Sequence, residues 1–300
     1  MSTESGQSVQ NVLIFQICCA YLVIALQLLW CWKHRRGRRT GRRCRAAVQS
    51  VKGRRPYMED AFVCLPKLSA TMVGRLAFFG VYDGHGGDKA SNYLSRYLHV
   101  LVLSSVRFPS EPVAALMEAF QKIEESWSQI ALVSKLRDGS TASVVMILKG
   151  TLYVANLGDS RVVLSSQGEA LPLTKDHKPN DPDERKRIES LGGFVNHRRG
   201  TFRLNNVLST SRAIGNLSLK PYVSSVPDVV RRKISQEDNF LIVASDGLWD
   251  VISSQDAVDI CARQRNVKEA SVALVEEAIS RSGQDNITAI VVALQDYAYQ

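Results

Sequence analysis

Ala142-Ser143-Val144-Val145-Met146-Ile147-Leu148-Lys149-Gly150-Thr151-Leu152-Tyr153-Val154-Ala155-Asn156 is the stretch that decides the fold class. Its two arms, Ala142–Leu148 and Thr151–Asn156, are rich in β-branched and aromatic residues and read as strands. Only Lys149-Gly150 separates them, a two-residue turn that predicts an antiparallel hairpin. Working outward, Leu76–Tyr82, Arg161–Leu164, Phe240–Ala244 and Ile287–Leu294 are strand-like in the same way. Helical periodicity marks Lys89–Leu103, Pro112–Val133, Pro182–Leu191, Ser254–Gln264 and Lys268–Ser280. Ser110 and Ser254 are the expected N-caps, and Gly192-Gly193 the stop of the third helix. Strands occur as neighbours and helices as long isolated stretches, so the expected class is α+β, antiparallel sheets covered by helices.

Four acidic clusters each close an apolar run: Met58-Glu59-Asp60, Asp83-Gly84-His85-Gly86-Gly87, Ser245-Asp246-Gly247 and Asp285-Asn286. Taken singly, an Asp there has a plain structural explanation as a turn former or helix cap. Jointly they are the pattern of a carboxylate metal site, because a strand ending in Asp can aim a hard anionic oxygen into a cleft. Several such strands side by side supply the oxygens that Mg²⁺ or Mn²⁺ prefers.

The chain has 300 residues, 45% of them apolar, enough for a packed core. Its formal charge of +9 points to nucleic acid or anionic lipid until the charge is located. Eight of the Lys and Arg residues fall between Lys33 and Arg45 and account for all but +1 of it. No aromatic residues are interleaved there to stack on bases, so no nucleic-acid partner is expected. Immediately before that run, Val12 to Trp32 forms 21 positions without a charge. At ~1.5 Å rise per residue this spans roughly 31 Å, close to the ~30 Å hydrocarbon thickness of a bilayer. The expectation is a short tail (1–11), a transmembrane helix (12–32), a basic juxtamembrane linker (33–45) and a single domain (46–300). Positive charge after the span, not before it, argues against a cleaved signal peptide and places the domain in the cytosol. The host membrane is left between endoplasmic reticulum and mitochondrial outer membrane, and oligomeric state is open. Cysteine usage agrees with a reducing compartment: only Cys64 and Cys261 lie in the body, with no CxxC spacing. Neither has an Arg six positions on, so a thiolate-plus-arginine-loop phosphatase site is missing. The sequons at Asn216 and Asn286 would carry glycans only in a lumenal body.

Arg55-Pro56-Tyr57-Met58-Glu59-Asp60, Val81-Tyr82-Asp83-Gly84-His85-Gly86-Gly87, Gly139-Ser140-Thr141-Ala142, Ala155-Asn156-Leu157-Gly158-Asp159-Ser160-Arg161, Ala244-Ser245-Asp246-Gly247-Leu248-Trp249-Asp250 and Asp285-Asn286-Ile287-Thr288 occur in this order. The series resembles the metal-dependent protein phosphatases of type 2C, from about Ala46 to about Leu294. With the apolar span ahead of the domain, it is similar to the membrane-anchored, one-like members. The resemblance implies a four-layer α/β/β/α sandwich with two central antiparallel sheets, and a centre of two Mn²⁺ or Mg²⁺ ions. It further implies that Asp83 bridges the ions, Gly84 gives its carbonyl, Glu59 binds one ion, and Asp246 and Asp285 the other. Asp60 would orient water, Arg55 would contact the substrate phosphate, and Asp159, Asp246 and Asp250 would form a weaker third metal site. His85 would protonate the leaving alkoxide, or alternatively only hydrogen-bond a ligand.

Hydrolysing a phosphomonoester at neutral pH needs a nucleophile and compensation of charge on the phosphoryl group, and two adjacent divalent ions supply both through a water held between them. The expected activity is therefore hydrolysis of phosphoserine and phosphothreonine in cytosol-facing proteins. A catalytically dead docking protein is the alternative, argued against by the intact Glu59, Asp83, Asp246 and Asp285; a phosphoinositide binder acting through 33–45 is another. The segment from Lys175-Asp176-His177-Lys178-Pro179 through Gly192-Gly193 resembles the family's flap beside the site, where substrate choice could be read. Asn216 and Asn206 stand where many relatives have Asp and Gly, with altered loop rigidity as the expected consequence.

Overall fold

The computed structural model describes residues 45–70, 74–198, 200–281, 283–295 and 297. The expected tail, span and nearly all of the basic linker lie outside the described residues. Among the described residues no helix is long and apolar enough to cross a membrane.

The chain opens with strands β1 (Ala46–Val51), β2 (Ala61–Ala70), β3 (Gly74–Tyr82) and the short β4 (Gly84–His85). Helices α1 (Lys89–Ser104) and α2 (Pro112–Ser134) follow, then β5 (Gly139–Ser140), β6 (Ala142–Leu148), β7 (Thr151–Leu157), β8 (Arg161–Ser166) and β9 (Glu169–Pro172). Next come α3 (Pro182–Ser190), β10 (Val195–Arg198), β11 (Thr201–Leu204), β12 (Ile214–Gly215) and a single 3₁₀ turn at Leu217–Leu219. Strands β13 (Asp228–Lys233) and β14 (Asp238–Ala244), helices α4 (Asp246–Trp249), α5 (Ser254–Ala262) and α6 (Val267–Ser280), and strand β15 (Ile287–Ala293) complete it.

Two five-stranded antiparallel sheets result, ordered β13-β7-β6-β3-β2 and β1-β15-β14-β8-β9. The β6–β7 hairpin closes as its turn chemistry demands: Lys149 and Gly150 both have positive φ, +47° and +70°, and Leu148 pairs with Thr151. Two left-handed residues match the right-handed twist of the flanking strands. Every residue of β6 is buried because both of its faces are covered. Val145 and Ile147 point into the inter-sheet core with Val162, Leu241 and Ile290. Val144 and Met146 point outward beneath α1 and α2, against Leu94, Leu98 and Phe120. On the second sheet Ile242, Ala289 and Val291 pack beneath α5 and α6. The architecture is the expected four-layer α/β/β/α sandwich.

Strands β1, β2 and β13 are among those that escaped the periodicity, each for a physical reason. Strand β13 reads Asp-Val-Val-Arg-Arg-Lys and is mostly exposed, an edge strand without a buried face to announce it. Strand β2 carries Pro66 inside a register break between Leu65 and Leu68, tolerable only at a sheet edge. Strand β1 is an edge strand as well, only partly buried. Two caps are also corrected. Ser253, not Ser254, caps α5, accepting from the Asp256 N–H. Residue Glu111 precedes α2 without a side-chain cap, and Pro112 at the first helical turn needs none for its own missing N–H. Helix α3 ends at Ser190 and the Gly193 N–H returns to the Ile188 carbonyl, so the Gly192-Gly193 stop is observed.

Candidate functional site

The chain ends of β3, β14 and β15 and the loop before β2 meet at one end of the sandwich. Each was expected to bring a carboxylate there, and each does. Asp83 follows β3; its backbone is held by Thr141, whose hydroxyl accepts from the Asp83 N–H (3.1 Å) and whose N–H donates to the Asp83 carbonyl (2.9 Å). Gly84 then crosses so close to the neighbouring loop that a Cβ would sit 2.3 Å from the Glu59 carbonyl oxygen, which only glycine permits.

Asn286 fastens the loop carrying Arg55 and Glu59. Its Oδ1 accepts from the Glu59 N–H (2.7 Å) and its amide donates to the carbonyls of Lys52 (2.8 Å) and Tyr57 (3.0 Å). One buried side chain thus satisfies three backbone groups of a loop without regular structure, and it sets Glu59 beside Asp285. Both sequon asparagines, Asn216 and Asn286, are buried.

The acidic side chains interact strongly. The carboxyls of Asp83 and Asp246 lie close enough for the charge of one to disfavour ionisation of the other. Burial raises the Asp83 pKa well above the carboxylate range, and the charges of Asp246, Asp60 and Asp159 raise it further. Asp246 is raised the same way, first by burial and then by Asp159 and Asp250. Asp250 is raised by burial despite the nearby Lys178 ammonium. Asp83, Asp246 and Asp285 keep an accessible edge, whereas Asp60 is buried.

Asp60 accepts from Ser245 Oγ (2.8 Å) and Thr288 Oγ1 (2.7 Å), both on its Oδ2. Its Oδ1 is buried without a hydrogen-bond partner. Desolvation, only partly offset by those two hydroxyls, pushes this carboxyl up to about 6. An orphaned buried acceptor and a group of mutually repelling carboxyls are what a site built for cations and water looks like when its charge is uncompensated.

Among the described residues no three His, Cys, Asp or Glu side chains are closed on one point as a finished cage. Mutual repulsion keeps carboxylates apart, and Mg²⁺ retains several waters, so a tight all-protein cage is not the expected form of such a site. Residues Asp83, Asp246, Asp285, Glu59 and the Gly84 carbonyl therefore fit a hard divalent pair by donor chemistry.

Three contacts were not foreseen. Arg55, expected on the substrate phosphate, is ion-paired with Asp285. Lys178 places its ammonium 2.5 Å from Asp159 and feels Asp246 and Asp250, so the chain's own cation sits among the carboxylates expected to hold a weaker third ion. Asn216, for which only altered loop rigidity was anticipated, has its Oδ1 2.8 Å from His85 Nε2. It reaches there from a left-handed backbone position, φ +53°. Burial lowers the His85 pKa, opposed by that hydrogen bond and by Asp159, Glu59 and Asp138. The departure at Asn216 was visible in the sequence; its contact with a histidine 131 positions away was not. Cys261 is buried with its thiol pushed up to about 12, which agrees with the absence of thiolate chemistry.

Helix α3, rich in charge, is not simply a solvated face. Its inner edge buries Glu184, which takes hydrogen bonds from Arg187 (2.9 Å), Arg212 (2.6 Å) and Ser211 (2.6 Å) and is thereby held down at about 2.

Comparison with known proteins bears on the same region. The family model described as protein phosphatase 2C matches residues 45–287. Probable protein phosphatase 2C 52 of Oryza sativa subsp. japonica is 42% identical over 246 residues, covering 82% of this chain and 50% of the relative. Probable protein phosphatase 2C member 13, mitochondrial, of the same organism is 41% identical over 249 residues, 83% of this chain and 68% of the relative. The crystal structure of serine-threonine phosphatase 2C from Toxoplasma gondii superposes with a TM-score of 0.76 at 28% identity, over 83% of this chain and 94% of that one. The chain spans half the length of the first rice relative. Sequence match and fold agree across the body, and the chain belongs to the protein phosphatase 2C family.

Proposed function

We propose that the chain hydrolyses phosphoserine and phosphothreonine in proteins, using two Mn²⁺ or Mg²⁺ ions held by Glu59, Asp83, Gly84, Asp246 and Asp285. The observation that carries this reading is the convergence of carboxyls from distant parts of the chain: Asp60 is held by the Ser245 and Thr288 hydroxyls with its Oδ1 buried and unpartnered, and the charges of Asp246, Asp60 and Asp159 bear on Asp83. A divalent pair there supplies an acidified water for attack and offsets the charge of the phosphoryl group.

The chain's own residues do the rest. Arg55 is exposed and would exchange its carboxylate partner for two phosphate oxygens, a fork that Lys would replace poorly. Asp60 presents an unpartnered Oδ1 on which a water can be oriented. His85 directs Nε2 at Asn216 Oδ1, so a neutral ring carries its proton on Nε2 and accepts on Nδ1. Its acid form, which burial disfavours and the neighbouring carboxylates favour, would give a proton to the leaving oxygen. The test is hydrolysis of a phosphothreonine peptide by the full chain with Mn²⁺ and with EDTA. Mn²⁺-dependent turnover is expected, and equal rates under the two conditions would reject the assignment.

We also propose that 12–32 spans a membrane, as in the one-like members, with the domain facing the cytosol. Its support is the uncharged 21-residue run and the eight cations behind it. The mitochondrial label of one rice relative makes the mitochondrial outer membrane one candidate, beside the endoplasmic reticulum. The full chain should stay in the membrane pellet after alkaline carbonate extraction, whereas release into the supernatant would contradict a span.

A further inference from the structure

From Ser190 to Pro227 the chain contains no Asp or Glu, yet it carries Arg198, Arg199, Arg203, Arg212 and Lys220. This is unlike the rest of the body, which is close to neutral. Two of these cations are answered from outside the stretch. Arg212 pairs with Glu184 (2.6 Å) and Asp228 (2.9 Å), and Lys220 pairs with Glu124 (2.8 Å). Arg198 and Arg203, on the β10–β11 hairpin, have no ion pair among the described residues. Arg198 is exposed, and Arg203 donates only to the backbone carbonyl of Val207 (2.7 Å).

Beside them, Phe194 and Phe202 are 45% and 37% exposed, although residues this apolar are ordinarily covered. Phe202 pairs across the hairpin with His197, ring edge to face at 5.0 Å. Val195 and Leu204, on the same face as His197 and Phe202, form a small core with Ile188, Leu208 and Val223, while Phe194, Arg198 and Arg203 alternate onto the other face. The hairpin is therefore a firmly seated element whose outer face presents the positive charge of Arg198 and Arg203 and the Phe194 ring.

Its position gives that surface a use. The segment leaves the acidic cluster at Lys178, on Asp159, and returns to it at Asn216, on His85. Both feet of the insertion stand on the site. The strands of the hairpin are four residues each. At ~3.4 Å per residue that is roughly 14 Å, comparable with the ~17 Å covered by about five extended residues of a bound peptide.

We propose that the β10–β11 hairpin is a specificity surface that favours phosphoproteins with acidic residues flanking the phosphorylated side chain. Arg198 and Arg203 are the charge partners, and Phe194, on the same face, an apolar contact beside them. The proposal rests on the reading of the acidic cluster as a phosphatase centre. Charge complementarity selects the occupant: two unpaired guanidinium groups fit carboxylates, and a hairpin lacking any acidic residue repels basic sequences.

The test uses the full chain and two labelled phosphothreonine peptides that differ only in their flanks, Asp/Glu in one and Gly/Ser in the other. In EDTA, fluorescence anisotropy should show the acidic peptide bound about tenfold more tightly at low salt, the equivalent of two exposed ion pairs. Raising the ionic strength should shrink the ratio. Arg198→Glu and Arg203→Gln together should bring it to about one, and Arg198→Glu alone, which disturbs no contact of the fold, should lower it part of the way. With Mn²⁺, kcat/KM on the neutral-flanked peptide should be the same in all three proteins. A ratio near one in the unaltered chain, a ratio insensitive to both variants, or stronger binding of a single-stranded oligonucleotide of equal charge would overturn the proposal. Loss of Mn²⁺-dependent hydrolysis of both peptides, with the binding ratio intact, would instead sink the phosphatase reading and leave the hairpin's preference standing.

Discussion

Asp246→Asn lowers the Mn²⁺-supported kcat/KM for a phosphothreonine peptide by on the order of a thousandfold, the expected scale for removing a charged group that stabilises the reacting centre. The same change leaves the fold intact. Asp246 opens the short helix α4 directly after β14, and its backbone carbonyl accepts from the Asp250 N–H (2.8 Å), a bond the side chain does not enter. The carboxamide keeps the size of the side chain and carries no charge to repel Asp83. It also removes the charge that Asp159 and Asp250 oppose. In EDTA the variant is therefore expected to melt at a higher temperature than the unaltered chain, while losing turnover in Mn²⁺. Opposite movements of stability and activity mark a site whose charges are held together for function. Activity within a few-fold of the unaltered chain would remove Asp246 from the centre.

Metal-free protein should lose stability as pH rises from about 4 to about 6, and Asp60 isolates the effect. Its carboxyl is raised from 3.8 to about 6 by burial. A group whose folded pKa is raised contributes stability that is fully present below its unfolded pKa and lost as pH climbs through the folded value. Integrated over that interval, the loss is about 3 kcal/mol. Glu184 runs the other way, lowered from 4.5 to about 2. Its contribution is complete above 4.5 and lost as pH falls toward 2, so the windows separate. Chemical denaturation in EDTA at several pH values, comparing the unaltered chain with Asp60→Asn, should show the variant gaining relative stability between pH 4 and 6. Parallel curves across that range would mean that Asp60 does not carry the buried charge. The carboxamide still accepts from Ser245 and Thr288, so the comparison changes charge more than packing.

These expectations depend on features of unequal visibility in the primary structure. The β6–β7 hairpin was legible because two local signals agreed, an apolar run and a two-residue turn ending in Gly150. Helices α1, α2, α3 and α6 were legible within a residue or two because their amphipathic repeat is local as well. Strands β1, β2 and β13 were not, since an edge strand need not alternate and Pro66 speaks against a strand unless the register break around it is known. The same division runs through the site. Carboxylates bordering apolar runs could be picked out by eye, Asp83 and Asp246 after a strand and Glu59, Asp60 and Asp285 before one, and the order of the motifs pointed to the family.

Sequence alone determined the class of the fold, the family and the set of acidic residues from which a metal centre could be assembled. Those properties are written in short-range patterns: turn residues, periodicities and motifs a few positions long. Only the tertiary structure decided how the charges are partnered. It set Lys178 on Asp159, Arg55 on Asp285 and Asn216 on His85, and among the described residues it left Asp60 Oδ1 without a hydrogen-bond partner and Arg198 and Arg203 without an ion pair. Electrostatic pairing depends on distance in space and on burial, and neither quantity has a counterpart in the spacing of residues along a chain.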